Sequence, residues 1–235
     1  MKTVVIVAAG LSSRLYPLTK TSPKCLLPLG TENILQRNLR LLENNGFERI
    51  IIITGYLKEM IEHTVESRAV TLFNPFYKFC NNMGSLYFAK NLVGREPFLY
   101  LHGDVVFSEL LLQQFLNNID EQHFIDLAVD FKEADEEAMK VQINEEFYLI
   151  RSSKDITLED SKGEWIGLAA IHRPEKLFKE IEKQLVAENM NVYDTYAFTE
   201  LAKNDERIKC LPIYDEPWVE VDFIEDYEKA KELFE

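Results

Sequence analysis

The stretch Ala8–Lys24, AAGLSSRLYPLTKTSPK, follows on the apolar run TVVIVA (Thr3–Ala8) near the start of the chain. A short run of β-branched residues reads as a buried strand. The loop that leaves it holds one glycine, two prolines, several hydroxyls and three cations, but no acid. Residues 1–31 contain Lys2, Arg14, Lys20 and Lys24 and neither Asp nor Glu, a local charge of +4 in a protein whose formal net charge is -14. In an open α/β sheet, ligands bind in the crevice beyond the carboxyl ends of the strands, where such a loop lies. Gly10 lets backbone approach a ligand closely, the amides after it can turn toward phosphate oxygens, and Arg14 and Lys24 supply cations. The composition fits a loop that wraps a triphosphate, since an acid there would repel it. The stretch is neither a P-loop, which needs GK[ST], nor GxGxxG, because Gly10 stands alone.

Beyond this loop acidic residues are spread through nearly every segment of the chain. With 235 residues, 46% of them hydrophobic, it can bury a large core, and one α/β domain is expected. The overall negative field disfavours nucleic acid and anionic membranes as partners. The N-terminal apolar run is too short to span a bilayer, so no membrane insertion is expected. Cys25, Cys80 and Cys210 are odd in number and far apart, with no metal-ligand spacing, which suits free thiols in a reducing compartment. A cytoplasmic protein, monomer or homodimer, is expected.

Val- and Ile-rich strands alternate with helical patterns, the mark of βαβ units around a mostly parallel sheet flanked by helices. Leu35, Leu39 and Leu42 share a helix face that ends at Asn45-Gly46, and RIIIITG (Arg49–Gly55) is the next strand. Leu57–Glu66 reads as a helix, Ala69–Pro75 and Pro97–Asp104 as strands, and Ser108 as the cap of ELLLQQFLNN. From Ile125 the rhythm changes to short strands joined by polar turns, predicting a small antiparallel lobe set against the first sheet. Pro174 opens a further helix, Tyr196–Ala202 forms another, and Tyr227–Phe234 a last one after the strand WVEVD (Trp218–Asp222). No linker divides the chain, so residues 1–235 are read as one domain, with a core of about 1–124 and 204–235 and a lobe of about 125–203.

Asp104 closes PFLYLHGD and Asp222 closes WVEVD, so both can project into the crevice that the loop occupies. Two carboxylates with phosphate oxygens and water suit Mg²⁺. Glu220 is the weaker candidate, one pleat back from Asp222. His102 is expected on the strand face opposite Asp104 and is read as structural. No HExxH motif or nucleophile elbow is present.

The opening stretch, with its glycine, arginine, PLT and PK in register, resembles the N-terminal signature of the nucleotidyltransferases that make nucleoside-diphosphate sugars and related activated head groups. The resemblance implies a Rossmann-like nucleotidyltransferase fold, and Asp104 and Asp222 match that family's metal-binding aspartates. TGYLKE, NNMGSLYFAK, MKV, SKD and GEWIGLA look like segments of the small cytidylyltransferases, above all the CTP:phosphocholine and phosphonate-activating enzymes. On that resemblance Lys24 and Arg14 act in catalysis. Ala8, Ala9, Gly10, Ser12 and Ser13 lie along the nucleotide, with Tyr56, Asn82 and Ser85 near the nucleoside. Lys140 or Lys154 approaches the acceptor's phosphate or phosphonate. Trp165 and Tyr196 among the aromatics suit a quaternary ammonium, whereas Asp194, like Asp130, suits a primary one. The partners implied are CTP and a small phosphorylated or phosphonate acceptor, with phosphocholine first. A 2-aminoethylphosphonate acceptor, a sugar 1-phosphate acceptor and a non-catalytic subunit that keeps the fold are the alternatives.

Overall fold

The computed structural model describes residues 1–132 and 134–235. In chain order the first half contains β1 (Thr3–Ala8), β2 (Pro28–Leu29), β3 (Glu32–Asn33), α1 (Ile34–Asn44), β4 (Arg49–Thr54), α2 (Lys58–Val65), β5 (Val70–Phe73), α3 (Asn82–Tyr87), α4 (Lys90–Val93), β6 (Phe98–His102), β7 (Val105–Phe107) and α5 (Glu109–Asn118). The second half contains β8 (Ile125–Asp130), β9 (Lys140–Ile143), β10 (Leu149–Ser153), β11 (Glu164–Ile171), α6 (Pro174–Val186), α7 (Asp194–Lys203), β12 (Ile208–Pro212), β13 (Trp218–Glu220) and α8 (Ile224–Phe234).

The parallel strands β6, β1, β4 and β5 lie side by side, with Val5 opposite both Ile51 and Tyr100. β6, β1 and β4 are buried on both faces, which is why they read as apolar runs, whereas the edge strand β5 is exposed at Val70 and Phe73. Val4 and Ile6 of β1 face one apolar cluster, with Ile50, Ile52, Leu99 and Leu101, while Val5 and Val7 face the other. Helix α1 begins where it does because Asn33 Oδ1 accepts from the Gln36 N–H at 2.8 Å and Gln36 Oε1 accepts from the Asn33 N–H at 3.2 Å, a reciprocal cap. Ser108 caps α5 in the expected way, its hydroxyl accepting from the Leu111 N–H.

The antiparallel strands are present, but they do not form a sheet of their own. β11 pairs antiparallel with β6, carrying the first sheet onward through β9 and β10 on one side and β8 on the other. β12 then returns parallel to β8. Alternating apolar runs separated by polar turns specify antiparallel neighbours but not which existing edge they join. Helices α7 and α8 start two and three residues earlier than expected, at Asp194 and Ile224.

A third, smaller cluster sits beside the sheet and positions the front loop. It joins Leu15, Leu27 and Leu29 of the loop region to Ile34 of α1, Val106 of β7, Val219 and Val221 near β13, and Tyr227 and Ala230 of α8. The Tyr227 hydroxyl donates to the Pro28 carbonyl at 2.6 Å, pinning the C-terminal helix to the loop.

Leu101 is fully buried in the central strand β6. Leu101→Ala is expected to lower unfolding stability by about 3 kcal/mol, the usual cost of a lost buried side chain plus its cavity. Urea unfolding measures this, and a loss below about 1 kcal/mol would contradict the packing described.

Candidate active site

The loop after β1 folds into three short 3-10 turns, at Ser13–Leu15, Leu18–Lys20 and Lys24–Leu26. The Thr19 hydroxyl donates to the Ser12 carbonyl at 2.6 Å and closes the first part of the loop on itself. The HGD turn after β6 folds onto the end of β1, where the Gly103 N–H donates to the Val7 carbonyl at 2.9 Å. The last segment arrives by backbone pairing, with Glu220 opposite Val105 in the β7–β13 ribbon and the Val221 N–H donating to the Asp104 carbonyl at 3.0 Å. Two carboxylates 118 positions apart in sequence are thereby brought to the same place.

The result is a cleft of about 270 Å³ lined along one side by Ala8, Ala9, Gly10, Ser12, Ser13, Arg14 and Lys24. Asp104, Glu220 and Asp222 line the facing side, and Asn82, Lys154 and Trp165 lie among its other walls. Lys24 Nζ stands 2.6 Å from Asp104 Oδ2 and 2.7 Å from Asp222 Oδ1. Arg14 approaches the other Asp222 oxygen at 3.2 Å and rests over the Phe223 ring. Burial alone would lower the Lys24 pKa, but the charges of Asp104 and Asp222 outweigh it and hold the ammonium well above the usual lysine range. Burial likewise works against ionised Asp222, yet Lys24 and Arg14 keep its carboxyl below the ordinary aspartate range. Burial pushes the Glu220 carboxyl upward, and the Asp104 charge adds to that push.

Asp104 Oδ1 is buried and has no hydrogen-bond donor. A buried acceptor left without a partner is costly unless a cation or water meets it. Among hard oxygen donors this arrangement fits a divalent ion such as Mg²⁺, with Asp104 and Asp222 as the protein ligands.

Several expected residues lie elsewhere. Lys140 is almost fully buried and its ammonium donates to the carbonyls of Asp135 and Glu136, at 3.2 and 2.7 Å, so it holds a turn rather than a ligand. Ser85 is on the buried face of α3, where its hydroxyl accepts from Asn74 Nδ2 at 3.1 Å. Tyr56 is not among the cleft walls, and its hydroxyl donates to the Lys20 carbonyl at 2.8 Å. Tyr196 opens into a different cavity between β10 and α7. Asp194 is fully buried away from the cleft walls and already accepts from the Tyr100 hydroxyl at 2.6 Å, His102 Nε2 at 2.7 Å and the Thr195 N–H at 2.9 Å, so it is not presented to an acceptor's ammonium. Trp165 reaches the cleft wall, but its ring is packed among Tyr100, His102 and Phe198. Lys154 does reach the cleft, its ammonium 5.6 Å from the centre of the Tyr193 ring.

His102 is the opposite case. It lines the cleft together with Asp104, contrary to the expected orientation, because β6 ends at His102 and the Gly103-Asp104 turn folds the carboxylate back over the same strand end. Burial would lower its pKa, but Asp194 raises it to about 9. Asn82 Nδ2 also lies 3.3 Å from Nε2. The shorter Asp194 contact makes Nε2 the proton donor, so Asn82 cannot be donating there.

The MobA-like NTP transferase domain matches residues 4–187, and the chain belongs to that family. The nucleotidyltransferase resemblance read from the opening loop is therefore correct. The choline-phosphate cytidylyltransferase of Streptococcus pneumoniae is 40% identical over 87 residues, 37% of this chain and 38% of that protein's length. The CTP:phosphoglutamine cytidylyltransferase of Campylobacter jejuni is 22% identical over 249 residues, covering 95% of this chain and 97% of that one. The solved CTP:phosphocholine cytidylyltransferase from Streptococcus pneumoniae shares the fold with a TM-score of 0.82 at 23% identity, over the full length of both chains.

Glu164, at the start of β11, gives the region a distinct pH response. Burial, then the charges of Glu220, Asp135 and Asp130, push its carboxyl up to about 8. In the unfolded chain the same group ionises near about 4.3. The folded form therefore binds the proton more tightly, and this glutamate progressively erodes stability as pH climbs from that lower value through 8. Glu164→Gln is expected to gain more than about 1 kcal/mol relative to the parent between about pH 5 and about pH 9. Urea unfolding at the two pH values checks this, and an equal difference at both would contradict it.

Proposed function

We propose that this protein is a CTP-dependent cytidylyltransferase that transfers CMP to a small phosphorylated or phosphonate acceptor and releases pyrophosphate, with phosphocholine the leading acceptor. The observation that carries the reading is the meeting of Lys24 and Arg14 with Asp104 and Asp222 in one cleft at the end of β1. The similarity to choline-phosphate cytidylyltransferase supports the choice of base and acceptor.

An acceptor phosphate oxygen attacks the α-phosphorus of CTP. A new P–O bond forms as the bond from the α-phosphorus to the bridging oxygen breaks, and pyrophosphate leaves. The nucleophile is already an anion near neutral pH, so no general base is required. The difficulty is holding two anions together and stabilising charge on the phosphoryl group and the leaving oxygen. Lys24 supplies a nearly buried cation from the loop, and Arg14 a more exposed one braced on Phe223. Asp104 and Asp222 would hold a divalent ion, Mg²⁺ on this reading, which would supply Lewis-acid charge to phosphate oxygens. Ala8, Ala9 and Gly10 offer backbone to the nucleotide, and Lys154 faces the cleft where an acceptor phosphate needs a counter-charge. A fold kept only as a scaffold would have no physical need for four such charges in one cleft.

Lys24→Ala and Asp222→Ala are each expected to lower the rate of pyrophosphate release by about a hundredfold or more. Circular dichroism should show both variants folded. A release assay pairing four nucleoside triphosphates with phosphocholine, 2-aminoethylphosphonate, phosphoglutamine and sugar 1-phosphates tests the substrates, with CTP and phosphocholine expected to give the highest rate. Near-normal release by either variant would overturn the assignment.

CTP at about a hundred times its dissociation constant, with Mg²⁺, should add about 2.7 kcal/mol of stability. Thermal unfolding reads this directly. No shift with any nucleotide would favour a non-catalytic subunit.

A further inference from the structure

We propose that the free protein carries a mixed nitrogen and oxygen seat for a first-row transition ion of the Mn²⁺ class, formed by His102, Asp104 and Glu220. This rests on the reading above and deepens it: on the floor of the same cleft the seat shares Asp104 with the two-aspartate site and takes His102 and Glu220 in place of Asp222.

Four observations carry it. One ligand atom from each of His102, Asp104 and Glu220 lies within 4.8 Å of the others. That is the spacing of donors around a single ion. Second, the Asp104–Asp222 pair is closed by Lys24, whose ammonium contacts one oxygen of each carboxylate. Asp104 Oδ1 remains buried and without a donor, so the oxygen free to ligate is the one Lys24 does not use. Third, no side-chain hydrogen bond or ion pair engages Glu220 among the described residues, although Lys24 lies close enough to affect it electrostatically.

The fourth observation is the support behind His102. Metal-binding histidines characteristically donate their other ring N–H to a carboxylate, which fixes the tautomer and the ring's direction. His102 Nε2 donates to fully buried Asp194 at 2.7 Å, and Asp194 is itself held by the Tyr100 hydroxyl at 2.6 Å. The ring is walled by Trp165, with centroids 4.9 Å apart, and by Gly167. Gly167 has φ +79, and a Cβ there would come within 3.0 Å of the His102 ring. A side chain at that position would push the imidazole out of place. Nδ1 is left with no hydrogen-bond partner among the described residues, on a ring that lines the cleft.

The donor set selects the ion. Carboxylates suit both Mg²⁺ and Mn²⁺, and an imidazole joined to them shifts preference toward the first-row transition ions, of which Mn²⁺ is the weakest binder and the one that still accepts a carboxylate-rich seat. Asp222 takes no part in this seat.

The test uses the full chain with Mn²⁺ alone, without nucleotide, at about pH 8. Pulsed electron paramagnetic resonance reads nitrogen directly bonded to Mn²⁺. The parent and Asp222→Asn should both show this nitrogen coupling, and His102→Gln should lose it. Glu220→Gln should weaken Mn²⁺ affinity by about tenfold or more without removing the coupling. Thermal unfolding of each variant separates loss of the seat from loss of the fold. If His102→Gln does not fold, the parent spectrum and the Glu220→Gln affinity decide. Absence of nitrogen coupling in the parent, its persistence in His102→Gln, or unchanged affinity in Glu220→Gln overturns the proposal. CTP binding by the same preparation is measured separately, so failure of the seat is distinguishable from failure of the nucleotide reading.

Discussion

The bridge from Lys24 to Asp104 and Asp222 is the contact on which the rest of the cleft depends. It joins the acid-free loop after β1 to two strand ends that reach the same point from distant parts of the chain. Three charges confined in a small, partly buried space must be balanced, because an unpaired buried charge is far more costly than a paired one. The same balance makes the cleft ready for a polyphosphate. A ligand that brings negative charge can take over the ammonium, and an ion that brings positive charge can take over the carboxylates.

Apolar packing holds this arrangement in register. The small cluster around Leu15, Leu27, Val106, Val221 and Tyr227 fastens loop, ribbon and C-terminal helix to one another. Backbone pairing between β7 and β13 then sets where the aspartates emerge. Function here is a matter of convergence: no single segment contains the site, and each contributes one or two charged groups at its end. The larger clusters on either side of the sheet provide the rigid base that keeps those ends within an ångström-scale tolerance.

Much of this was legible in the sequence because the signals were local. The first strand, the apolar face of α1, the Ser108 cap and the acid-free loop are each written in nearby residues, and the loop's composition points to phosphate by itself. What the sequence hid depended on three-dimensional neighbours. Lys140 sits in a strand like any exposed lysine, yet its ammonium finds a ring of backbone carbonyls. Asp194 looked available to a ligand, but Tyr100 and His102, nearly a hundred positions away, already bond to it. His102 was hidden as well, since the Gly103-Asp104 turn, not strand alternation, brings Asp104 to its side. Asn81, Met139 and Tyr193 also line the cleft; the first two open the NNMGSLYFAK and MKV segments, and no motif marks Tyr193.

The most direct test of the central bridge is a double-mutant cycle between Lys24→Met and Asp222→Asn, read by urea unfolding at low and at high salt. Groups in direct contact should show a coupling of about 1 kcal/mol or more, little weakened by salt because the pair is mostly shielded from solvent. Effects that add to within about 0.5 kcal/mol would mean that the two side chains do not meet, and the account of the cleft would be wrong.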